Sequence, residues 1–172
     1  MPTPATSQLL IQLKRLRNTG FADKLEQHAT ANGFPPPFFF AIASRETNCQ
    51  NILGDKQNGV FHGVGIVQID IQHPIAKAAR DTGSFKTNPD PLLEFGAQIL
   101  ANNIKLAKQK FPNLTPEQQM KIAASGYNAG MVRAIKGQQQ LGDSDKPTTG
   151  HDYGRDVMKR MTVFADLIDA GN

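Results

Sequence analysis

Cysteine is almost absent: Cys49 is the only one in 172 residues. No internal disulfide can therefore form, and no cross-linked extracellular framework is implied. A thiol nucleophile has no support either, because no histidine follows Cys49 in a recognisable pairing pattern. Metal-ligand spacing is missing too. His28, His62, His73 and His151 show neither an HxxxH pair nor a nearby cysteine pair, so neither a metal nor another cofactor is expected. Long hydrophobic runs are lacking. The longest apolar-rich stretch, residues 34–43, is too short to span a bilayer and contains three prolines, so no stable membrane insertion is expected. The opening Met1-Pro2-Thr3-Pro4-Ala5-Thr6-Ser7 has no basic region followed by an apolar run, and no Sec-type signal is read there. Charge of one sign is nowhere massed. The net charge is +4, and scattered lysines and arginines without interleaved aromatics argue against a nucleic-acid binder. That mild balance still permits attraction to an anionic polymer such as a bacterial wall.

What is present is ordinary for a globular protein, with 39% apolar and 20% charged residues. The length predicts one domain over residues 1–172, with a loose tail at 1–6, burying roughly 70% of the surface of its unfolded chain. The expected fold is mainly α, with one irregular or β-like glycine-rich segment at about residues 50–70 lining a cleft. Ser7 can cap a first helix carrying Leu9, Leu10, Leu13 and Leu16 on one face. A second runs from about Phe21 to Ala31 and stops at Asn32-Gly33. A short helix opens at His73-Pro74, and Asp90-Pro91 reads as the cap and first residue of a long helix ending near Phe111. Thr115-Pro116-Glu117-Gln118 is a capping box for a helix to about Tyr127, and a short helix to Lys136 follows. Residues 137–150 are polar and read as a mobile loop. A last helix from about Asp152 turns Val157, Met161, Phe164 and Ile168 inward.

The chain is organised around Phe38-Phe39-Phe40-Ala41-Ile42-Ala43-Ser44-Arg45-Glu46, opened by Pro35 to Pro37. A helix here is apolar on nearly every face and belongs inside the fold. Glu46 falls at its C-terminal end, where apolar neighbours and the helix dipole both raise a carboxyl pKa. That suits a general acid; a plain ion pair with Arg45 or Lys56 is the alternative. Glycines 54, 59, 63 and 65 then allow close backbone approach to a ligand, and Asp55 and Asp70 lie on or beside this loop. One carboxyl in an apolar setting and one or two in a polar turn is what glycoside cleavage needs.

These segments resemble goose-type lysozymes and their bacterial and phage relatives. The resemblance rests on Ala43-Ser44-Arg45-Glu46-Thr47-Asn48, Ile52-Leu53-Gly54-Asp55, Gly63-Val64-Gly65-Ile66-Val67-Gln68-Ile69-Asp70, Ala124-Ser125-Gly126-Tyr127-Asn128-Ala129-Gly130, and His151-Asp152-Tyr153-Gly154-Arg155-Asp156-Val157. It implies the lysozyme superfold and hydrolysis of the β-1,4 bond between N-acetylmuramic acid and N-acetylglucosamine in peptidoglycan. It implies Glu46 as general acid, Asp70 and Asp55 as the groups on the attacking water, and an inverting displacement. It also implies Gln68, Tyr127 and Asn128 in the sugar groove and Tyr153 near the acid; His62, on the loop, is a further candidate for sugar contact. Matching Asp55 requires a gap, since an ungapped alignment puts Gly59 there. An inverting site predicts a carboxyl separation above about 6 Å.

Two other readings remain. A lytic transglycosylase shares the glutamate and the Gln and Tyr-Asn segments, and ends its products as 1,6-anhydromuramic acid; Asp55 and Asp70 favour hydrolysis instead. A non-catalytic wall-binding or phage-tail protein of the same fold would not need Glu46. A monomer acting on the extracellular or periplasmic wall after non-classical release is expected, with a proteinaceous lysozyme inhibitor or an immunity protein as a conceivable partner.

Overall fold

Proline placement and apolar spacing set most of the helix boundaries in the computed structural model, which describes residues 3–171 and, for Gln57, the backbone only. Helix α1 (Thr6–Asn18) buries Leu9, Leu13 and Leu16, and α2 (Phe21–Ala31) buries Ala22, Leu25 and Ala29. Helix α3 (Pro36–Thr47) starts with proline in its first turn and buries every side chain from Phe38 to Arg45. Phe34 packs edge-on against Phe38 and Phe39 at 6.0 and 5.8 Å. The helix ends at Asn48, which has a left-handed φ of 52°.

The glycine-rich segment forms two small antiparallel hairpins. β1 (Lys56–Gln57) pairs with β2 (Val60–Phe61), and β3 (Gly63–Val64) pairs with β4 (Ile69–Asp70). Then come α4 (Pro74–Thr82), α5 (Asp90–Lys110), α6 (Pro116–Ala129), α7 (Met131–Leu141) and α8 (Tyr153–Asp169), with 3-10 turns at Ser84–Lys86 and Thr149–His151. The mainly α architecture expected from sequence is what forms. One hydrophobic cluster draws on α1, α2, α3, α5, α6 and α8, with β3 and β4 against it, and α3 lies chiefly on α8. No helix among the described residues is long and apolar enough to cross a membrane.

Several local expectations are corrected. Of the tail expected at 1–6, Met1 and Pro2 lie outside the described residues, whereas Thr3 donates to Asp156 at 2.6 Å and Thr6 is already helical. Ser7 is therefore inside the first turn, and Ala5 holds the cap position without a side-chain bond. Asp90 is not a cap but the first residue of α5; its carboxylate accepts from Lys24 at 2.5 Å and lies 3.3 Å from His28 Nε2, tying α5 to α2. The inward stripe of α8 forms as expected, with Val157 and Phe164 fully buried and Met161 and Ile168 partly buried against the core.

The largest correction concerns residues 137–150. Helix α7 runs on to Leu141, and Ser144, Asp145 and Thr148 are buried. Asp145 accepts from the backbone N–H of Gly154 at 2.6 Å, from that of Arg155 at 2.9 Å and from Ser125 Oγ at 2.9 Å. A carboxylate from the loop thus satisfies the orphan donors that begin α8. Polar composition here serves inward capping, not solvation.

Candidate active site

Glu46 sits in the last turn of α3, half-buried among apolar side chains. Loss of water around the carboxyl pushes its pKa up to about 7, against the smaller downward pull of a hydrogen bond from Tyr153 and of the Arg45 charge. The Tyr153 hydroxyl donates to Glu46 Oε1 from the first turn of α8. Tyr153 is 2% exposed.

Arg45 could lower the Glu46 pKa further, but its charge is engaged elsewhere. It donates to Asp156 and Asp152 of the α8 segment, both at 2.9 Å, with its guanidinium 5.4 Å from the centre of the Tyr153 ring. Asp156 also accepts from Arg160 at 2.8 Å, and Arg160 donates to Ser44 at 2.7 Å. Ser44 in turn donates to Gln12 of α1 at 2.5 Å. A buried polar network therefore clamps α1, α3 and α8 together behind the acid.

Across from this network lies a cleft of about 250 Å³. Glu46, Gln68, Ile69, Asp70, Tyr127 and Asn128 line it, joined by His73, Phe95 and Ile99. Asp70, the last residue of β4, is exposed, and its Oδ1 accepts the Gln72 N–H at 2.8 Å. The Tyr127 hydroxyl donates to the Val67 carbonyl at 2.8 Å, anchoring α6 to the glycine segment. Asn128 is exposed and accepts the Thr149 N–H at 2.9 Å, which leaves its amide N–H₂ as the group available to a ligand.

Three of the site residues expected from sequence, Asp55, His62 and Tyr153, are not in the lining. Asp55 is exposed, just before β1, and its carbonyl faces the His62 N–H at 3.4 Å at the open end of the first hairpin. The His62 carbonyl then accepts the Ile71 N–H at 2.9 Å. Asp55 is thus two strand spacings, about 10 Å, from the strand that carries Asp70. Tyr127, expected in the sugar groove, and Tyr153, expected near the acid, both spend their hydroxyls on the protein itself, Tyr127 on the Val67 carbonyl and Tyr153 on Glu46. Three lining residues escaped the sequence reading. His73 was seen only as a helix opener, and its ring lies 4.1 Å from that of Phe95. Phe95 and Ile99 form an i, i+4 pair beside the buried stripe of α5, a signal that could have marked a second face.

The chain matches the family described as LysG, lysozyme g, over residues 5–166. Similar curated proteins include lysozyme g of Casuarius casuarius, 33% identical over 129 residues, which is 75% of this chain and 64% of that protein. Lysozyme g of Epinephelus coioides is 29% identical over 150 residues, 84% of this chain and 74% of that protein. For lysozyme g of Gallus gallus the identity is 30% over 129 residues, 75% of this chain and 56% of that protein. The chain therefore spans less than two thirds of the length of several relatives it matches. With the family's pattern followed from residue 5 to residue 166, on a fold that brings Glu46 and Asp70 to one cleft, this chain belongs to the lysozyme g family.

Proposed function

We propose that the protein is a muramidase, a glycoside hydrolase that cuts the β-1,4 bond between N-acetylmuramic acid and N-acetylglucosamine in peptidoglycan. The observation that carries this reading is one carboxyl with a pKa raised to about 7 sharing a cleft with a second, exposed one. Near neutral pH the first retains its proton for the leaving oxygen while the second is free to act on water. The names of the similar proteins, all lysozyme g, point the same way.

In this mechanism Tyr153 donates to Glu46 Oε1, so the acidic proton sits on Oε2 and passes from there to the glycosidic oxygen. Positive charge builds on the sugar ring as the C1–O bond breaks. Asp70 orients a water and takes its proton as the water attacks C1 from the opposite face, giving inversion. Asn128 offers an N–H donor to an N-acetyl carbonyl, and the His73 ring, tilted against Phe95, gives an aromatic flank for a sugar ring. Asp55 is assigned a lesser part because it is outside the lining. The 172 residues act as one catalytic domain on the outer or periplasmic face of the wall, and an inhibitor or immunity protein would act by covering this cleft.

The test is clearing of a peptidoglycan suspension, with the products read by mass spectrometry. Wild type is expected to clear it and leave reducing ends, and Glu46→Gln to be slower by about 10²–10⁴-fold, the usual worth of a general acid. Abundant 1,6-anhydro ends would instead make the protein a lytic transglycosylase. Equal clearing by Glu46→Gln would leave a wall-binding role only.

A further inference from the structure

We propose that Gln68 is a positioning residue that sets Asp70 on the cleft wall, and not a ligand of the sugar. The proposal rests on the reading above in which Asp70 acts on water. Gln68 lies in the turn between β3 and β4, two residues before Asp70, with a left-handed φ of 53°. A residue with a Cβ adopts that conformation only where its surroundings hold it there.

The side chain supplies those surroundings. Its Nε2 donates to the Gly65 carbonyl at 2.7 Å and to the Ile52 carbonyl at 3.2 Å. Both hydrogens of the amide are thereby used on the backbone, and neither can reach a sugar without leaving a carbonyl behind. On the other side, Gln68 Oε1 fills the space of two missing side chains. A Cβ on Gly54 would lie 1.9 Å from it, and a Cβ on Gly63 would lie 2.1 Å from it.

The two glycines are also neighbours in the ladder, since the Gly54 N–H donates to the Gly63 carbonyl at 2.9 Å, and Gly63 is the strand partner of Asp70. One glutamine therefore locks residues 52–54 onto 63–65 and fixes the strand pair that ends at Asp70. Gly63 does not have a positive φ, so only the room taken by Gln68 demands glycine there.

That mutual dependence gives the experiment. Wild type, Gln68→Ala, Gly63→Ala, the double variant and Glu46→Gln are assayed on soluble, un-cross-linked glycan chains. Each single loop variant is expected to lower kcat by about tenfold or more, with KM changed by less than about threefold, as for loss of an interaction that serves the transition state. The double variant is expected to be no worse than about threefold below the poorer single variant, because removing Gln68 makes room for the alanine. If the losses multiply, or if Gln68→Ala raises KM at unchanged kcat, Gln68 is a sugar ligand and the proposal fails. Should Gln68→Ala fail to fold, Gly63→Ala decides alone: wild-type kcat there overturns the proposal, and a tenfold loss with KM preserved supports it. An active Glu46→Gln would overturn the muramidase reading itself. A dead Glu46→Gln beside multiplicative loop losses would overturn only the role given to Gln68.

Discussion

The carboxyls of Glu46 and Asp70 line one cleft and are held in opposite ways. Glu46 closes a helix buried from Phe38 to Arg45 and is backed by a polar network reaching three helices. Asp70 ends a strand of two residues, is exposed, and takes one backbone N–H. The helix removes water from its carboxyl and so keeps a proton on it; the hairpin leaves its carboxylate in solvent. In the proposed mechanism, acid and base roles follow from where a carboxyl is put and not from which carboxyl it is. In that mechanism the glycine segment is free to be built from small hairpins because it approaches the substrate, whereas the helical side has to resist solvation.

That contrast can be broken at its strongest point first. Asp156 and Arg45 have side chains only 3% and 5% exposed. Asp156→Ala leaves Arg45 and Arg160 short of a buried partner and is expected to destabilise the fold by about 3–5 kcal/mol. Asp55→Ala, on the exposed loop, should stay within about 0.5 kcal/mol. Urea unfolding of both variants checks the pair.

A second test uses the acid itself. The folded pKa of about 7 exceeds the ordinary 4.5 of a glutamate, so the unfolded chain loses this proton first as pH rises. Stability therefore falls between about pH 4.5 and 7 and stays lowered above that window. Glu46→Gln removes the penalty. It should be as stable as wild type below pH 4.5 and more stable above pH 7 by up to about 3 kcal/mol, as measured by thermal unfolding at both ends of the range. A gain at low pH instead would contradict the assigned direction.

The exposed side is sharpened by the two aspartates. Asp70→Asn is expected to lower kcat by about 10²-fold, and Asp55→Asn by at least tenfold less, because only Asp70 lines the cleft. Equal losses in a wall-clearing assay would restore Asp55 to the reaction. The smallest expected effect is a shift of the pH profile. The Tyr153 hydroxyl lowers the Glu46 pKa, so Tyr153→Phe should move the alkaline limb of kcat/KM to higher pH. A limb that moves lower would mean that the hydroxyl does not stabilise the charged acid.

Much of the frame was legible in the residues. Asn32-Gly33 closes α2 where expected, and the Thr115 capping box forms with both its bonds. Glu46 at the tip of an apolar helix is legible from the helical period, whereas Asp70 stands out from Asp55 only through the resemblance to the goose-type family. Pairings across the chain were not legible. Arg45 and Asp156 are 111 positions apart, and no local pattern announces that their charges meet behind the acid. Asp145 looked like loop filler because its purpose, capping α8, exists only once α8 lies beside it. Gln68 could be placed on the cleft from the motif, but not the use of its side chain, which depends on two glycines 5 and 14 residues earlier in the chain. Periodicity tells which face is buried; it does not tell which polar groups find each other there.

The central claim is that burial keeps Glu46 protonated close to neutral pH. It is tested most directly by titrating glutamate side-chain carboxyl carbons by NMR, with the Glu46 resonance identified by its absence from Glu46→Gln. The account predicts a midpoint at about 7 for that resonance. A midpoint near the ordinary 4.5 would mean that Glu46 is ionised at neutral pH and is not the proton donor.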